Sequence, residues 1–430
     1  MIRKEIIRSI IQEGQELLTD ISLYARPREF EPAGRYVLVG IRQAGKSYML
    51  YQRAQALLAE GYHVEEMVFI NFDDERLLDI SAADLDTILQ TYAQTNGGKP
   101  IFFFDEIQNV DGWEHFARRL ANMKYQVYIT GSNAKMLSAD IASTLGGRYI
   151  DMKVFPYSFR EYVGATGTLT DREIGNDRWE YGKKRNEVVR KMGEYFRWGG
   201  FPELLLIKGK RQWLNTLYDK ILLGDIIHRN RIRNAMTVRL VVKRLAENIG
   251  QPTSYNRLAN TIKATGINTS TASVIEYIGF VKDACVLFTI DNYASKFAEK
   301  ETIKKHYFTD NGLLNIFLHT ETDSALHENI CAVELYRRYG EGLFYFKKNV
   351  EVDFYIPDEG LALQACYSTS DPETLRREMN ALVKLSTVTE VSRMVIVSYD
   401  EERTIPLEDG RRVEVVPLWK WLLKQTKREI

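Results

Sequence analysis

Short apolar runs alternate with stretches of helical periodicity over the first part of the chain. Five such runs lie at Tyr36–Val39, Met67–Ile70, Ile101–Phe104, Gln126–Thr130 and Tyr149–Phe155. Runs of this length are typical of strands that are buried on both faces. Strands that alternate with helices form βαβ units, so the pattern predicts an α/β fold with a parallel sheet between two helical layers.

The residues before the first run predict one further helix. Charged residues interrupt every apolar stretch there, whereas Ile2, Ile6, Ile10 and Leu17 recur at helical spacing. This favours an amphipathic helix over a signal peptide, whose central region is continuously apolar. No apolar run in the chain approaches the ~18–20 residues that span a bilayer, so we predict no membrane segment.

The pattern changes twice further along the chain. Strand signals nearly vanish between residues 156 and 300, where helical periodicity dominates. Beyond residue 301, a helical stretch (327–339) precedes the strand-like runs LFYF, EVDFYI, LALQAC and MVIVSY. The last part of the chain is therefore predicted to be a separate α/β unit.

Composition and charge indicate a globular chain of several domains. Its 430 residues correspond to about three domains. Lys plus Arg and Asp plus Glu each number 58, which argues against nucleic-acid binding by bulk charge alone. That balance is an average, because residues 178–244 hold 17 Lys and Arg against six Asp and Glu. Three scattered cysteines suit neither a disulfide framework nor a zinc motif, which favours a cytoplasmic location.

The turn after the first run carries the chemistry of phosphate binding. Residues 40–47 read GIRQAGKS and match G-x-x-x-x-G-K-[ST]. The glycines let backbone N–H groups curl around phosphate oxygens, Lys46 places an ammonium on the phosphates, and the Ser47 hydroxyl can ligate Mg²⁺. The alternative is a glycine-rich turn without a ligand, but the strand before and the helix after this turn favour a site for ATP and Mg²⁺. Its predicted binding residues are Gly40, Ile41, Arg42, Gln43, Ala44, Gly45, Lys46, Ser47 and Tyr48.

Asp105 and Glu106 end the third apolar run, as a Walker B pair would. The carboxyl end of a buried parallel strand faces the ligand crevice. We expect Asp105 to hold Mg²⁺ together with Ser47, and Glu106 to activate the attacking water as general base. The alternative is that both carboxylates only cap the next helix.

Two more positions are candidates for contact with the nucleotide. Ser132 or Asn133, after the fourth run, has the place of a sensor that touches the γ-phosphate or orients water. Arg148 follows a glycine pair and is a candidate arginine finger, acting within its own chain or on a neighbouring subunit. The alternatives are an ordinary turn and a solvated arginine.

Taken in order, these motifs resemble those of a large prokaryotic family of predicted AAA-type P-loop ATPases with an uncharacterised C-terminal domain. The runs that carry the resemblance are GIRQAGKS, FFFDEIQNV, ITGSN, LGGRY with FPYSFREY, GGFPE, HYFTDNGLL and EVDF. The resemblance implies an additional-strand ATPase core, then a winged helix, then a restriction-endonuclease-like domain. We assign an N-terminal helix and lead-in, the P-loop ATPase core, a helical linker, the winged helix and the endonuclease-like domain to residues 1–33, 34–155, 156–223, 224–300 and 301–430.

The middle of the chain carries a helix-turn-helix pattern. Two helical stretches, from Ser254 and from Thr271, flank a turn at Gly266. The second stretch begins with small hydroxyl residues, as a recognition helix does, but it has few Arg or Lys residues there. Duplex DNA is thus one candidate partner, and a packing or subunit contact is the alternative.

The C-terminal domain departs from the endonuclease pattern that the resemblance implies. That pattern needs one acid on a strand and an acid-x-Lys on the next, because two carboxylates hold a divalent cation and a lysine activates water. Asp353 supplies the first acid, but Gln364 and Cys366 stand where the second acid and the lysine belong. Glu328 or Glu334 can add a ligand but not the lysine, so nuclease activity is not expected.

Together these features predict an ATPase that acts as a nucleotide-driven switch or motor and is coupled to its winged-helix and C-terminal domains. Other copies of the same chain are a further candidate partner, in an oligomer. The alternatives are an ATP-regulated DNA-binding regulator and a scaffold that binds an unknown protein through a degenerate nuclease domain.

Overall fold

The computed structural model describes residues 3–318 and 323–424, which form two units. The first unit contains the described residues up to Phe155 together with Asp283–Cys285. The second contains Pro156–Lys282 and the described residues from Val286 onward. Each unit has its own β-sheet.

The first unit is built on a parallel sheet of five strands. Its strands are β1 (Tyr36–Val39), β2 (Met67–Asn71), β3 (Ile101–Asp105), β4 (Gln126–Gly131) and β5 (Ile150–Lys153). They are arranged in the order β2-β3-β4-β1-β5, and every neighbouring pair is parallel. The helices are α1 (Lys4–Asp20), α2 (Lys46–Ala59), α3 (Asp86–Thr95), α4 (Trp113–Asn122) and α5 (Ala139–Leu145). This is the parallel α/β arrangement that the alternating runs predict, and it is the P-loop, AAA-like fold that the family resemblance implies.

Helix α1 forms where the sequence predicts it, but its buried face differs from the predicted one. The buried apolar positions are Ile7, Ile10, Ile11 and Leu18. Leu17 is 40% exposed, and Ile2 lies outside the described residues. Gly14 explains the difference, because a Cβ there would lie 2.6 Å from the carbonyl oxygen of Phe69. The helix approaches β2 closely at this glycine, and the buried apolar positions lie three, four and seven residues from it, on the same face.

Helices come first in the second unit, and a mixed sheet follows. The leading helices are α6 (Phe159–Ala165), α7 (Asp171–Ile174), α8 (Lys183–Trp198), α9 (Lys210–Lys220), a π-helical stretch (Ile221–His228), α10 (Ala235–Glu247), α11 (Tyr255–Lys263) and α12 (Thr271–Asp283). The later helices are α13 (Phe297–Thr302), α14 (Asn311–Asn315), α15 (Asp323–Tyr339), α16 (Pro372–Leu385) and α17 (Leu418–Leu423).

The sheet of this unit has nine strands in the order β13-β14-β12-β11-β10-β9-β7-β8-β6. They are β6 (Thr253–Ser254), β7 (Leu287–Asn292), β8 (Ile303–Phe308), β9 (Phe344–Lys347), β10 (Glu351–Ile356), β11 (Leu361–Ala365), β12 (Arg393–Ser398), β13 (Arg403–Pro406) and β14 (Arg412–Pro417). The antiparallel hairpin β7–β8 joins the rest through parallel pairing of β7 with β9. The predicted C-terminal α/β region is therefore present, and its sheet is continuous with strands that precede residue 300.

Two of the sequence runs that carry the family resemblance meet inside this unit. The carboxylate of Asp310, in the HYFTDNGLL run, accepts hydrogen bonds from the backbone N–H groups of Gly200 and Gly312, both at 2.7 Å. Gly200 belongs to the GGFPE run. Burial raises the pKa of Asp310 to about 6, although these bonds oppose the shift. These runs therefore act together as a packing motif.

Within the described ranges, no helix combines the length and the apolar character that crossing a membrane requires.

Candidate functional site

Three neighbouring strands of the first sheet end at the same edge. Since β3, β4 and β1 are adjacent and parallel, the residues that follow them meet at one crevice. The P-loop follows β1, Asp105 and Glu106 end β3, and Thr130 to Ser132 end β4. The topology thus brings together residues that are up to 92 positions apart in the sequence, from Gly40 to Ser132.

The P-loop has the backbone conformation that a phosphate cradle requires. Gln43 and Gly45 have φ angles of 63° and 91°, and α2 begins directly afterwards at Lys46. A Cβ on Gly40 would lie 1.9 Å from the carbonyl oxygen of Val154, so only glycine fits at the start of the loop. The N–H groups in the first turn of α2 have no partner within the helix, which leaves them directed at the crevice.

Lys46 lies at the centre of the crevice and is buried. Its ammonium donates hydrogen bonds to the carbonyl oxygens of Gly40 and Ile41 at 3.1 and 3.2 Å and to Ser132 Oγ at 2.8 Å. It also forms an ion pair with Glu106, with 3.4 Å between Nζ and Oε1. The lysine therefore links the P-loop to both strands beside it.

Glu106 is held as a carboxylate by its neighbours. It accepts hydrogen bonds from Ser132 Oγ at 2.7 Å and from Gln108 Nε2 at 2.5 Å. Burial alone would raise its pKa, but Lys46, these two hydrogen bonds and the charge of Arg42 lower the pKa to about 2. Its backbone lies in the left-handed region, with φ 53°, a conformation that is rare for residues with a side chain. The arrangement holds a charged carboxylate on a strained backbone, as functional sites often do.

Asp105 is a different kind of carboxylate. Burial and the neighbouring charge of Glu106 raise its pKa to about 6, although hydrogen bonds from the hydroxyl groups of Thr130 and Ser47 oppose the shift. Ser47 and Asp105 are thus in direct contact. A hydroxyl and a carboxylate oxygen are the donors that Mg²⁺ prefers, so this pair suits the predicted metal.

The structure distinguishes the two candidate sensors. Ser132 contacts both Lys46 and Glu106. The side-chain oxygen of Asn133 instead accepts a hydrogen bond from the N–H of Lys135 at 2.9 Å and caps the next turn. Of the two alternatives that the sequence left open, Ser132 lies in the crevice.

Two further binding candidates lie at the edge of the P-loop. Arg42 forms an ion pair with Asp73, with 3.6 Å between Nη1 and Oδ2. Tyr48 is 52% exposed, and its ring lies edge-on to that of Tyr51 at 5.5 Å between centroids.

Arg148 does not lie at the crevice of its own chain. It lies two residues before Ile150, the first residue of β5, which pairs with Tyr36 at the start of β1. The P-loop follows the carboxyl end of β1, so Arg148 lies at the opposite end of the strands, near their amino ends. Its side chain is exposed, and Nη1 donates a hydrogen bond to the carbonyl oxygen of Gly146 at 3.0 Å. A finger role within the same chain is incompatible with this position.

Sequence reasoning assigned no role to Thr130, which the structure places between the two acids. Its hydroxyl bonds to the Asp105 carboxylate and accepts a hydrogen bond from the N–H of Glu106 at 3.0 Å. The available signal was a hydroxyl residue at the end of the fourth apolar run.

A second polar cluster lies in the C-terminal sheet. Lys305 on β8 is fully buried, and its ammonium lies 3.3, 3.4 and 3.6 Å from carboxylate oxygens of Asp353, Glu328 and Glu351. Burial alone would lower the pKa of Lys305, but these carboxylates raise it. No motif indicated this lysine, because it precedes Asp353 by 48 residues.

The cluster borders a cavity of about 780 Å³ that Asp353, Gln364 and Glu378 help to line. Gln364 accepts a hydrogen bond from the N–H of Asp353 at 2.8 Å and donates one to Glu378 at 2.8 Å. The thiol of Cys366 donates to the carbonyl oxygen of Ser368 at 3.1 Å. In the described part of the chain, no group of three or more His, Cys, Asp or Glu side chains is arranged to hold a metal ion.

Comparison with known proteins places this geometry in a family. Residues 34–163 match the family model of an AAA domain, and residues 189–324 match that of a domain of unknown function. Over 440 aligned residues the chain is 30% identical to the uncharacterized protein MJ1544 of Methanocaldococcus jannaschii, and the alignment covers 98% of this chain and 96% of that protein. The chain belongs to the MJ1544 family.

One further relative and one solved structure are also similar to this chain. An uncharacterized protein of Haemophilus influenzae is 28% identical over 398 residues, covering 90% of this chain and 94% of that protein. The structure of the Aeropyrum pernix ORC1 protein in complex with DNA aligns with 78% of this chain and 94% of that chain, at 14% identity and a TM-score of 0.30. Of the two matching family models, the AAA domain is the one that contains the crevice described above.

Proposed function

We propose that this protein is an ATPase that hydrolyses ATP to ADP and phosphate. The observation that carries the proposal is the contact network of Lys46, Glu106 and Ser132 beside a P-loop at the carboxyl ends of three adjacent strands. A lysine for phosphate oxygens, a charged general base and a hydroxyl sensor are the parts that phosphoryl transfer to water needs. They lie within hydrogen-bonding distance of one another here.

The same contacts suggest how the site changes on binding ATP. Lys46 would exchange Glu106 for phosphate oxygens, which are the stronger acceptors at the P-loop. Glu106 Oε1 would then be free of its ion pair and able to accept a proton from water, while Ser132 keeps its orientation. Ser47 and Asp105 are the residues that would hold Mg²⁺, which when bound neutralises phosphate charge.

Glu106→Gln tests the role of the base. Glutamine keeps the shape and the acceptor oxygen but cannot take a proton, so we expect ATP binding to persist and phosphate release to fall by about 100-fold or more. Phosphate release and nucleotide affinity would be measured on the same preparations. Lys46→Ala is the matched comparison, because it should lose ATP binding itself. Hydrolysis that is unchanged in Glu106→Gln would exclude this residue as the base.

We further propose that nucleotide state is coupled to the second unit, as in a switch or motor. Within that unit we assign residues 156–223 to a helical linker, 224–300 to a winged helix and 301–430 to an endonuclease-like domain. The helices α11 and α12 support the winged-helix assignment. The hairpin β7–β8 follows them and crosses the assigned boundary at residue 300. A DNA-binding regulator and a protein-binding scaffold stay the alternative predictions.

The absence of nuclease activity also stays a prediction. It is supported by the neutral Gln364 beside Asp353 and by the ammonium of Lys305 among three carboxylates. A divalent cation at these carboxylates would have to displace a buried positive charge that already satisfies them.

A further inference from the structure

Arg26 lies in the segment between α1 and β1 and is buried in the first unit, with 6% of its surface exposed. Its Nη1 donates hydrogen bonds to the carbonyl oxygens of Ala44 at 3.3 Å and of Phe155 at 3.1 Å. Burying a guanidinium is costly unless it is hydrogen-bonded. This one is placed on the backbone of the P-loop itself.

The backbone of Arg26 is fixed by the helix that follows the P-loop. Its N–H donates to Gln52 Oε1 at 2.9 Å, and its carbonyl oxygen accepts from Gln52 Nε2 at 2.8 Å. One turn further along α2, Gln55 Nε2 donates to the carbonyl oxygen of Ile21 at 2.8 Å. The lead-in segment is therefore held on α2 at two points, and Arg26 is oriented before any ligand binds.

The contact with Ala44 fixes the direction of a neighbouring N–H group. The carbonyl of Ala44 and the N–H of Gly45 belong to one planar trans peptide unit and point in opposite directions. Holding the carbonyl oxygen on Arg26 therefore turns the Gly45 N–H away from it. Gly45 is in the left-handed region, with φ 91°, as loops that present successive N–H groups to anions require.

The contact with Phe155 connects the P-loop to the end of the first unit. The Phe155 carbonyl precedes Pro156, which has no N–H of its own. Next to it, the carbonyl oxygen of Val154 lies where a Cβ of Gly40 would be, at 1.9 Å. Arg26 thus connects Ala44, near the end of the P-loop, with the backbone that packs against Gly40, where the P-loop begins.

We propose that Arg26 is a positioning residue for the nucleotide phosphates: it holds the Ala44–Gly45 peptide so that the Gly45 N–H faces the phosphate groups. The proposal rests on the proposed function, since it needs nucleotide in the P-loop. Arg26 does not touch the reacting atoms, so it acts on affinity and not on the chemical step.

The test compares the affinities of the full chain for ATP and ADP. Arg26→Gln should weaken binding of both nucleotides about 10-fold, because a lost hydrogen bond from a charged donor has effects of this size. The turnover number at saturating ATP should be little changed. Arg26→Lys keeps a cationic donor and should recover most of the affinity. Arg35→Gln is the matched control, because Arg35 Nε also donates to a backbone carbonyl, that of Tyr125 at 2.6 Å, but at the opposite edge of the sheet.

A second pair of variants covers the case in which Arg26→Gln fails to fold. Gln52→Ala removes the contacts that fix Arg26 and should weaken nucleotide binding about threefold. Gln55→Ala removes only the contact with Ile21 and should bind as the wild type does. Wild-type affinity in Arg26→Gln, or equal affinities in the two glutamine variants, would overturn the proposal. A wild-type chain that binds neither ATP nor ADP would instead refute the proposed function.

Discussion

Lys46 and Lys305 are both buried lysines that meet carboxylates, yet their surroundings give them different roles. Lys46 has one carboxylate partner and three neutral acceptors beside an open crevice, so its partners can be exchanged for phosphate. Lys305 is surrounded by Glu328, Glu351 and Asp353. The same type of side chain is therefore suited to binding a ligand in one unit and to balancing carboxylate charge in the other.

Lys305→Met should destabilise the protein by about 3–5 kcal/mol at neutral pH, because it removes the ammonium that balances the charges of Glu328 and Asp353. The pKa of Glu328 is already raised by burial and should rise further in the variant. A carboxyl group with a raised folded-state pKa stabilises the fold most below its unfolded pKa, about 4.3, and loses this contribution as pH rises. The variant's deficit should therefore shrink toward acid pH, as measured by denaturant unfolding from pH 8 to pH 5.

Lys304→Met is the control for that series. Lys304 is the neighbouring residue on β8, and its ion pair with Asp291 is partly exposed, with 3.0 Å between Nζ and Oδ1. Such pairs contribute about 0–1 kcal/mol. The loss of unfolding free energy in Lys305→Met could instead equal that in Lys304→Met or be independent of pH. Either result would show that Lys305 is not coupled to the ionisation of the carboxylates.

The junction of α8 and the α14 turn shows how an element boundary is decided by packing. Helix α8 ends at Trp198, and Gly199 follows it with φ 74° and ψ −163°, a conformation that is essentially restricted to glycine. A Cβ there would lie 1.9 Å from Asp310 Oδ1. The sequence shows a glycine pair after a helix, but only the structure shows the carboxylate that requires it.

Gly199→Ala should destabilise the second unit by roughly 2–4 kcal/mol, from backbone strain and from the contact with Asp310. Gly193→Ala is the matched substitution within α8. A Cβ at Gly193 meets only Tyr399 Oη, at 3.9 Å, so the better helix propensity of alanine should stabilise it by up to about 1 kcal/mol. Thermal unfolding of both variants checks the pair, and equal effects would contradict the packing argument.

At the scale of the whole molecule, the predicted site residues lie at two opposite ends of the first sheet. The crevice lies at the carboxyl ends of its strands, whereas Arg148 lies before the edge strand β5 and is exposed. This position does not bring Arg148 to the crevice of its own chain, so the predicted finger role would need a neighbouring copy. This position supports the oligomeric form of the proposed ATPase.

Mass measurement in solution tests that form. With a non-hydrolysable ATP analogue, the wild type should form assemblies that are multiples of 49.8 kDa, and Arg148→Ala should assemble less. Arg118→Ala, a change at another exposed arginine of the same unit, should assemble as the wild type does. A wild type that stays at the mass of one chain with the analogue would contradict assembly, and assembly of Arg148→Ala would remove this residue from the contact.

The sequence by itself determined the parallel sheet, the P-loop and the acidic pair, because each depends on local spacing: apolar runs of strand length and a turn whose residue types are dictated by phosphate. It did not determine which side chains become partners. Only the tertiary structure decided which of Ser132 and Asn133 lies in the crevice and which face of α1 is buried. It also decided that Arg26 contacts Ala44 and that Lys305 lies among three carboxylates. These contacts join residues that are up to 129 positions apart, as from Arg26 to Phe155, and only the packing of strands and helices brings such residues together.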